Sequence, residues 1–166
     1  MNKKVFIING SGSKGKDTFV EFCSKYTNVK NISTVDKVKE AGKHLGWEGG
    51  KSEWDRAFLS DLKLLADKYY GHSLMYVVRE HEDFLNREIE NVMFIHCREP
   101  ENIEALKQTF ECKTILIVNI NIDDITTNMA DANVNNYVYD YYIDNSGTLE
   151  DLEYLAKDFV ENKISI

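Results

Sequence analysis

The chain has 166 residues, 43% hydrophobic and 29% charged, enough for one domain around one core. Twenty Lys and Arg against 28 Asp and Glu leave a formal charge of −8. That balance argues against non-specific binding to a nucleic acid polymer or an anionic membrane. The run VFIING that follows two N-terminal lysines is too short for a signal peptide or a membrane span, so the cytoplasm is the expected location. Cys23, Cys97 and Cys112 are odd in number and widely spaced, which suggests reduced thiols rather than a zinc site or a disulfide framework.

In chain order, KVFIING reads as a buried strand ending in a glycine-rich loop, and KDTFVEFCSKY as the helix after it. VKNISTV is a second strand, ended by Asp36, and KVKEAGKHLGW a short helix. Ser52-x-x-Asp55 predicts a capping box for a helix carrying Trp54, Phe58, Leu62, Leu65 and Tyr69 at helical spacing. Gly71 is expected to end that helix and Ser73 to cap the next. NVMFIHC is a third strand, followed by a helix with Pro100 in its first turn; KTILIVNI is a fourth. YVYDYYID is a fifth strand, and Thr148-x-x-Asp151 caps the last helix. Alternation of strands and helices predicts an α/β fold: a parallel five-stranded sheet with helices on both faces, and ligands bound beyond the C-terminal strand ends.

The loop GSGSKGKDTF carries two overlapping phosphate-binding patterns. Gly10-x-Gly12-x-x-Gly15, with Asp36 ~20 residues on, matches a dinucleotide fingerprint. Gly10-x-x-x-x-Gly15-Lys16 matches a triphosphate P-loop, with Asp17 in place of the usual Ser or Thr. The triphosphate pattern accounts for Lys16, which a dinucleotide does not need. Backbone N–H groups from Gly10, Ser11, Gly12, Ser13, Lys14 and Gly15 would surround a phosphate at the positive end of the following helix. Lys16 would stabilise the β- and γ-phosphates, Asp17 would serve a Mg²⁺ ion, and Thr18 would donate to the α-phosphate.

GKDT in place of GKST resembles the phage and bacterial deoxynucleoside monophosphate kinases and the animal-type phosphomevalonate kinases. Three further stretches resemble the same group. STVDKVKEAG is similar to its F-A-D-P-L-K segment, which puts Asp36 and Lys39 on that Asp and Lys. MFIHCREPENIEAL is similar to its D-V-R-F-P-N-E-x-E-A segment, which puts Arg98 on the arginine. YDYYIDNSGTLEDL resembles the strand–loop–helix that closes the adenine site in many P-loop kinases, with Asn145 and Gly147 in the loop.

The resemblance implies a three-layer P-loop NTPase fold of the nucleoside monophosphate kinase-like kind, in one domain spanning 1–166. It implies a helical acceptor-binding region at about 52–90 and a short lid-like segment at about 121–136. The implied cofactors are ATP and Mg²⁺, and the implied partner is a small phosphorylated acceptor, most simply a nucleoside or deoxynucleoside monophosphate. A homodimer is compatible with it. Lys16, Asp36 and Arg98 are the expected catalytic residues, and Lys39, Arg56 and Arg79 join Asp36 and Arg98 as acceptor-binding candidates. All four arginines lie between residues 56 and 98.

Two positions depart from the group. His96 stands where an acidic residue ends the third strand, and neutral imidazole is a poor ligand for Mg²⁺. The segment Asn121–Asn136 has no Lys or Arg and three Asp before Asn133. They motivate an alternative, a catalytically degenerate nucleotide-binding or regulatory protein of the same fold. The glycine spacing with Asp36 motivates another, a dinucleotide-dependent oxidoreductase.

Overall fold

The computed structural model describes residues 3–123 and 134–164. Five strands, β1 (Lys4–Asn9), β2 (Val29–Ser33), β3 (Val92–His96), β4 (Lys113–Val118) and β5 (Tyr141–Asp144), form one parallel sheet in the order β2-β3-β1-β4-β5. The central strands are apolar on both faces because both are covered, the usual condition of a parallel sheet. Phe6 and Ile8 of β1 join Phe94 and Ile115 on one face, while Val5 and Ile7 join Met93, Ile95 and Leu116 on the other.

Helices α1 (Lys16–Ser24) and α6 (Leu149–Phe159) cover the first face through Phe19, Val20, Cys23, Leu152 and Phe159. Helices α4 (His72–Asn86) and α5 (Pro100–Thr109) cover the second through Val77, Phe84, Ile103 and Leu106. The result is a three-layer α/β P-loop NTPase fold. Helices α2 (Asp36–His44) and α3 (Glu53–Tyr70) pack together near the C-terminal ends of β2 and β3, and α3 also packs on α4.

The local signals account for most boundaries. Ser52 Oγ accepts from Asp55 N (3.2 Å) and Ser52 N donates to the Asp55 carboxylate (2.9 Å), completing the capping box of α3. Thr148 and Asp151 repeat the arrangement at α6. Gly71, in the left-handed region at φ 55°, ends α3 and starts α4.

Several expectations are corrected. Ser73 does not cap α4. It lies inside the first turn, buried, with its N–H and hydroxyl donated to Asp67 (2.7 and 2.9 Å). Asp36 does not end β2, which stops at Ser33; it begins α2 and accepts a hydrogen bond from Ser33 N (2.7 Å). β5 begins only at Tyr141, because Tyr139 and Asp140 turn inward to Asn9 and Thr114. The helical spacing on α3 left its buried face open; Trp54, Leu65 and Tyr69 face outward, with Trp54 86% exposed. The expected lid falls mostly on residues 124–133, outside the described residues.

Candidate nucleotide and acceptor site

The glycine loop joins β1 to α1 and is held from three sides. Gly10 (φ 148°) approaches β4 so closely that a Cβ there would stand 2.7 Å from the Ile117 carbonyl oxygen. Gly15 (φ 96°) lies against the Asn145 amide, which a Cβ would strike. Asn145 donates to the Lys14 carbonyl (2.9 Å), and its own N–H donates to Val118 O (2.8 Å). Lys14 is turned away from the loop interior, buried, with its ammonium on the carbonyls of Asn119 (2.8 Å) and Ile122. Lys14 and Asn145 therefore brace the loop, a role for which their positions in the sequence carry no signal. Gly147 sits against the Asp151 carboxylate of the α6 cap.

Gly15 is the N-cap of α1 and provides no side-chain cap, so the first-turn amides are left to the loop. That is the geometry of an anion site at a helix N-terminus. Lys16 bends back across the loop to the carbonyls of Gly10 and Ser11 (3.0 Å to Ser11). The cradle fits a polyphosphate. Asp17 is exposed beside it, and Thr18 is half-buried in the same turn.

The loop opens into a cleft of ≈ 530 Å³ beyond the ends of β1, β2 and β3. Lys16 and Asp17 line one end, and Asp36, Lys39, Arg56 and Arg98 line the rest. With Gly12 and Ser13 of the loop, the structure thus brings together eight of the predicted site residues from four separate segments. Arg79 is not among them: it is exposed on α4 and does not line the cleft. Nor do Asn145 and Gly147.

The cleft also contains groups that no local sequence signal selects. Lys63 of α3 is 8% exposed and pairs with Glu99 (2.8 Å) and Asp67 (3.3 Å). Burial alone would lower the Lys63 pKa, but the charges and hydrogen bonds of Glu99 and Asp67 outweigh it and raise the pKa. Asp67 passes the connection to Ser73, and Ser73 Oγ to Thr34 O (3.5 Å). One buried polar chain therefore ties the residue after Arg98 to α3, α4 and the end of β2. Asn9 adds a second tie, donating to Arg98 O (3.2 Å) and Tyr139 Oη (2.8 Å).

His96 ends β3 between Asn31 and Asp17. Its Nε2 lies 2.9 Å from Asn31 Oδ1 and its Nδ1 lies 3.8 Å from Asp17 Oδ1. Burial lowers its pKa to about 4, opposed by Asp17 and assisted by Lys16, Arg98 and Lys39. The imidazole is therefore neutral at pH 7. Among the described residues no three His, Cys, Asp or Glu side chains form a ready-made metal site. Asp17 suits a hard divalent cation held jointly with phosphate oxygens; the imidazole beside it does not suit Mg²⁺. Of the other histidines, His81 stacks on Phe110 (ring centroids 4.1 Å) and His72 on Tyr76 (6.3 Å).

The strand order removes the dinucleotide reading. In that fold the second strand lies next to the first, so that its terminal acid reaches the ribose. Here β3 separates β1 from β2, and β2 is an edge.

No family model matches the chain, and no curated protein matches it in sequence. Solved structures do match over nearly its whole length. A sugar kinase from Janibacter superposes with a TM-score of 0.57 at 9% identity, covering 99% of this chain and 96% of that one. TT1252 from Thermus thermophilus gives 0.55 at 17%, covering 98% and 99%. The APS kinase CysC of Mycobacterium tuberculosis gives 0.52 at 10%, covering 97% and 99%. At such identities the likeness establishes the fold, and the chain has the architecture that these structures share.

Proposed function

We propose that the protein is an ATP-dependent phosphotransferase that moves the γ-phosphoryl group to a small phosphorylated acceptor, with a nucleoside or deoxynucleoside monophosphate as the first candidate. One observation carries the reading: a phosphate-cradling loop with Lys16 opens into the same cleft as Lys39, Arg56 and Arg98. A donor phosphate on the loop and an acceptor phosphate on the arginines would meet in one cleft. Arginine suits the acceptor end because its planar fork matches a phosphate.

Phosphoryl transfer asks little covalent help of the protein; positioning and charge stabilisation do most of the work. Lys16 stabilises charge on the transferring group. Arg98, fixed through Asn9 and the chain from Glu99 to Thr34, orients the acceptor. Asp36 anchors the acceptor or takes the proton from its attacking oxygen. Asp17 would hold a divalent cation together with the nucleotide's phosphate oxygens, and such an ion would supply charge neutralisation for the transfer.

The test is acceptor-dependent ADP release over a panel of nucleoside monophosphates and other phosphorylated metabolites. Wild type should release ADP with at least one, and Lys16→Ala should lose the activity. A second reading, nucleotide binding without transfer, is favoured by the imidazole at the end of β3. It predicts calorimetric ATP affinity and no ADP release with any acceptor.

A further inference from the structure

We infer that Trp47 is the specificity residue at the acceptor end of the cleft, a platform for a flat ring. The acceptor is then a monophosphate that carries a nucleobase, rather than a sugar or acyl phosphate. The inference rests on the reading of the cleft as an acceptor site and names what that site selects.

Trp47 lines the cleft, half-buried, with Val35 and Leu59 beside it. The three form an apolar strip in a wall that otherwise carries Lys39, Lys51, Arg56 and Arg98. The backbone at position 47 has a separate task. Trp47 N–H donates to Gly42 O (2.9 Å) and Gly46 N–H to Lys43 O (3.2 Å), with Gly46 at φ 101°. These are the two bonds of a Schellman motif that closes α2, and they ask nothing of the side chain at 47. Nor is the indole needed to fill the space over Gly42. A Cβ there would already stand 3.1 Å from Leu59 and 3.4 Å from Phe58, both on α3.

The indole is aimed by its one polar atom. Trp47 Nε1 donates to Gly50 O at 3.2 Å, which satisfies the ring within the protein and pins one edge of it. The next carbonyl along, Lys51 O, accepts from Arg56 Nε at 3.1 Å. Adjacent peptide groups of one loop therefore position an aromatic ring and a guanidinium in the same cleft. The loop is itself fixed by the Ser52–Asp55 capping box that follows it.

A planar cationic fork beside an aromatic surface suits a phosphate joined to a heterocycle. The fork takes the phosphate and the indole takes the ring by stacking. A phosphorylated sugar or acid would satisfy the fork alone and leave the indole in water.

Calorimetry on the full chain without ATP tests this, with AMP, GMP, CMP, dTMP and ribose 5-phosphate as probes. In wild type at least one nucleoside monophosphate should bind roughly tenfold more tightly than ribose 5-phosphate, the usual scale of one base stacked on an aromatic side chain. Trp47→Leu should bring that ratio near one with ribose 5-phosphate affinity unchanged, and Trp47→Phe should keep most of it. In Trp54→Phe, which leaves Trp47 as the one tryptophan, the preferred monophosphate should quench the fluorescence and ribose 5-phosphate should not. Equal affinities in wild type, or a Trp47→Leu variant that weakens both ligands alike, would overturn the inference. If Trp47→Leu does not fold, the wild-type ratio and the Trp54→Phe quenching decide. Binding with this discrimination but without phosphoryl transfer would support the platform and defeat the transferase reading. Binding of none of the probes would overturn both.

Discussion

Gly15 and Lys16 adjoin in sequence and carry different kinds of constraint. At Gly15 the constraint is steric: φ of 96° excludes most side chains, and a Cβ would collide with the Asn145 amide. Gly15→Ala should therefore destabilise the fold by about 1–3 kcal/mol and weaken ATP binding through the displaced loop, read by thermal melts and calorimetry. At Lys16 the constraint is chemical, since its ammonium rests on exchangeable loop carbonyls and no core residue depends on it. Lys16→Ala should leave the melting temperature close to wild type while removing transfer. The pair separates a loop that is needed to fold from a charge that is needed to act. At this scale the sequence was most legible where a residue type has one use, as with the lysine after a glycine loop. It was least legible where a charged side chain is employed as a brace. Nothing local to Lys14 or Lys63 reveals the distant carbonyls or carboxylates that bury them.

Among the elements, capping signals were reliable because they are local. Ser52 with Asp55 and Thr148 with Asp151 need only each other, and both helices start where those pairs predict. Ser73 failed as a cap because Gly71 already ended one helix and began another, leaving the serine hydroxyl to Asp67. The periodicity of α3 was correctly helical but did not say which face is buried. Trp54, Leu65 and Tyr69 are exposed, while the inward face carries Lys63. The α3 side of the cleft is built from that inward face. Glu99→Gln would leave Lys63 buried with Asp67 as its one remaining carboxylate partner among those seen, and should cost about 1–3 kcal/mol in chemical denaturation. The double variant Lys63→Met, Glu99→Leu should cost less than the sum of its single changes, since removing both charges leaves neither uncompensated. Equal and additive costs would mean that the pair does not couple α3 to the segment bearing Arg98.

For the whole molecule, the fold class followed from strand–helix alternation, but the strand order did not. The order is set by which strand enters between β1 and β2, a long-range choice that no local spacing encodes. That choice decides between the two glycine-loop readings, because it places Asp36 on the far side of β3 from the loop. Stability against pH is also a property of the assembled sheet. Asp140 joins β4 to the entry of β5, accepting from Thr114 N (2.8 Å) and Thr114 Oγ1 (2.9 Å) and pairing with Lys113 (3.2 Å). Burial works against its ionisation, but these contacts prevail and lower its pKa. A carboxylate with a lowered folded-state pKa stabilises the protein above its unfolded pKa and loses that contribution as pH falls through the folded value. Melting temperature should therefore fall below the ordinary Asp range, and the fall should be shallower in Asp140→Asn, whose starting stability at pH 7 is lower. An identical acid profile in the variant would remove Asp140 from the account.

The central claim is that the glycine loop and the Arg98 wall serve the two ends of one transfer. It is tested most directly by following ³²P from the γ position of ATP into a panel of nucleoside monophosphates, separated by chromatography. The account predicts label in a nucleoside diphosphate for wild type, none for Lys16→Ala, and for Arg98→Ala a raised KM for the acceptor with ATP affinity retained. Label recovered only as inorganic phosphate, or transfer that survives Lys16→Ala, would contradict it.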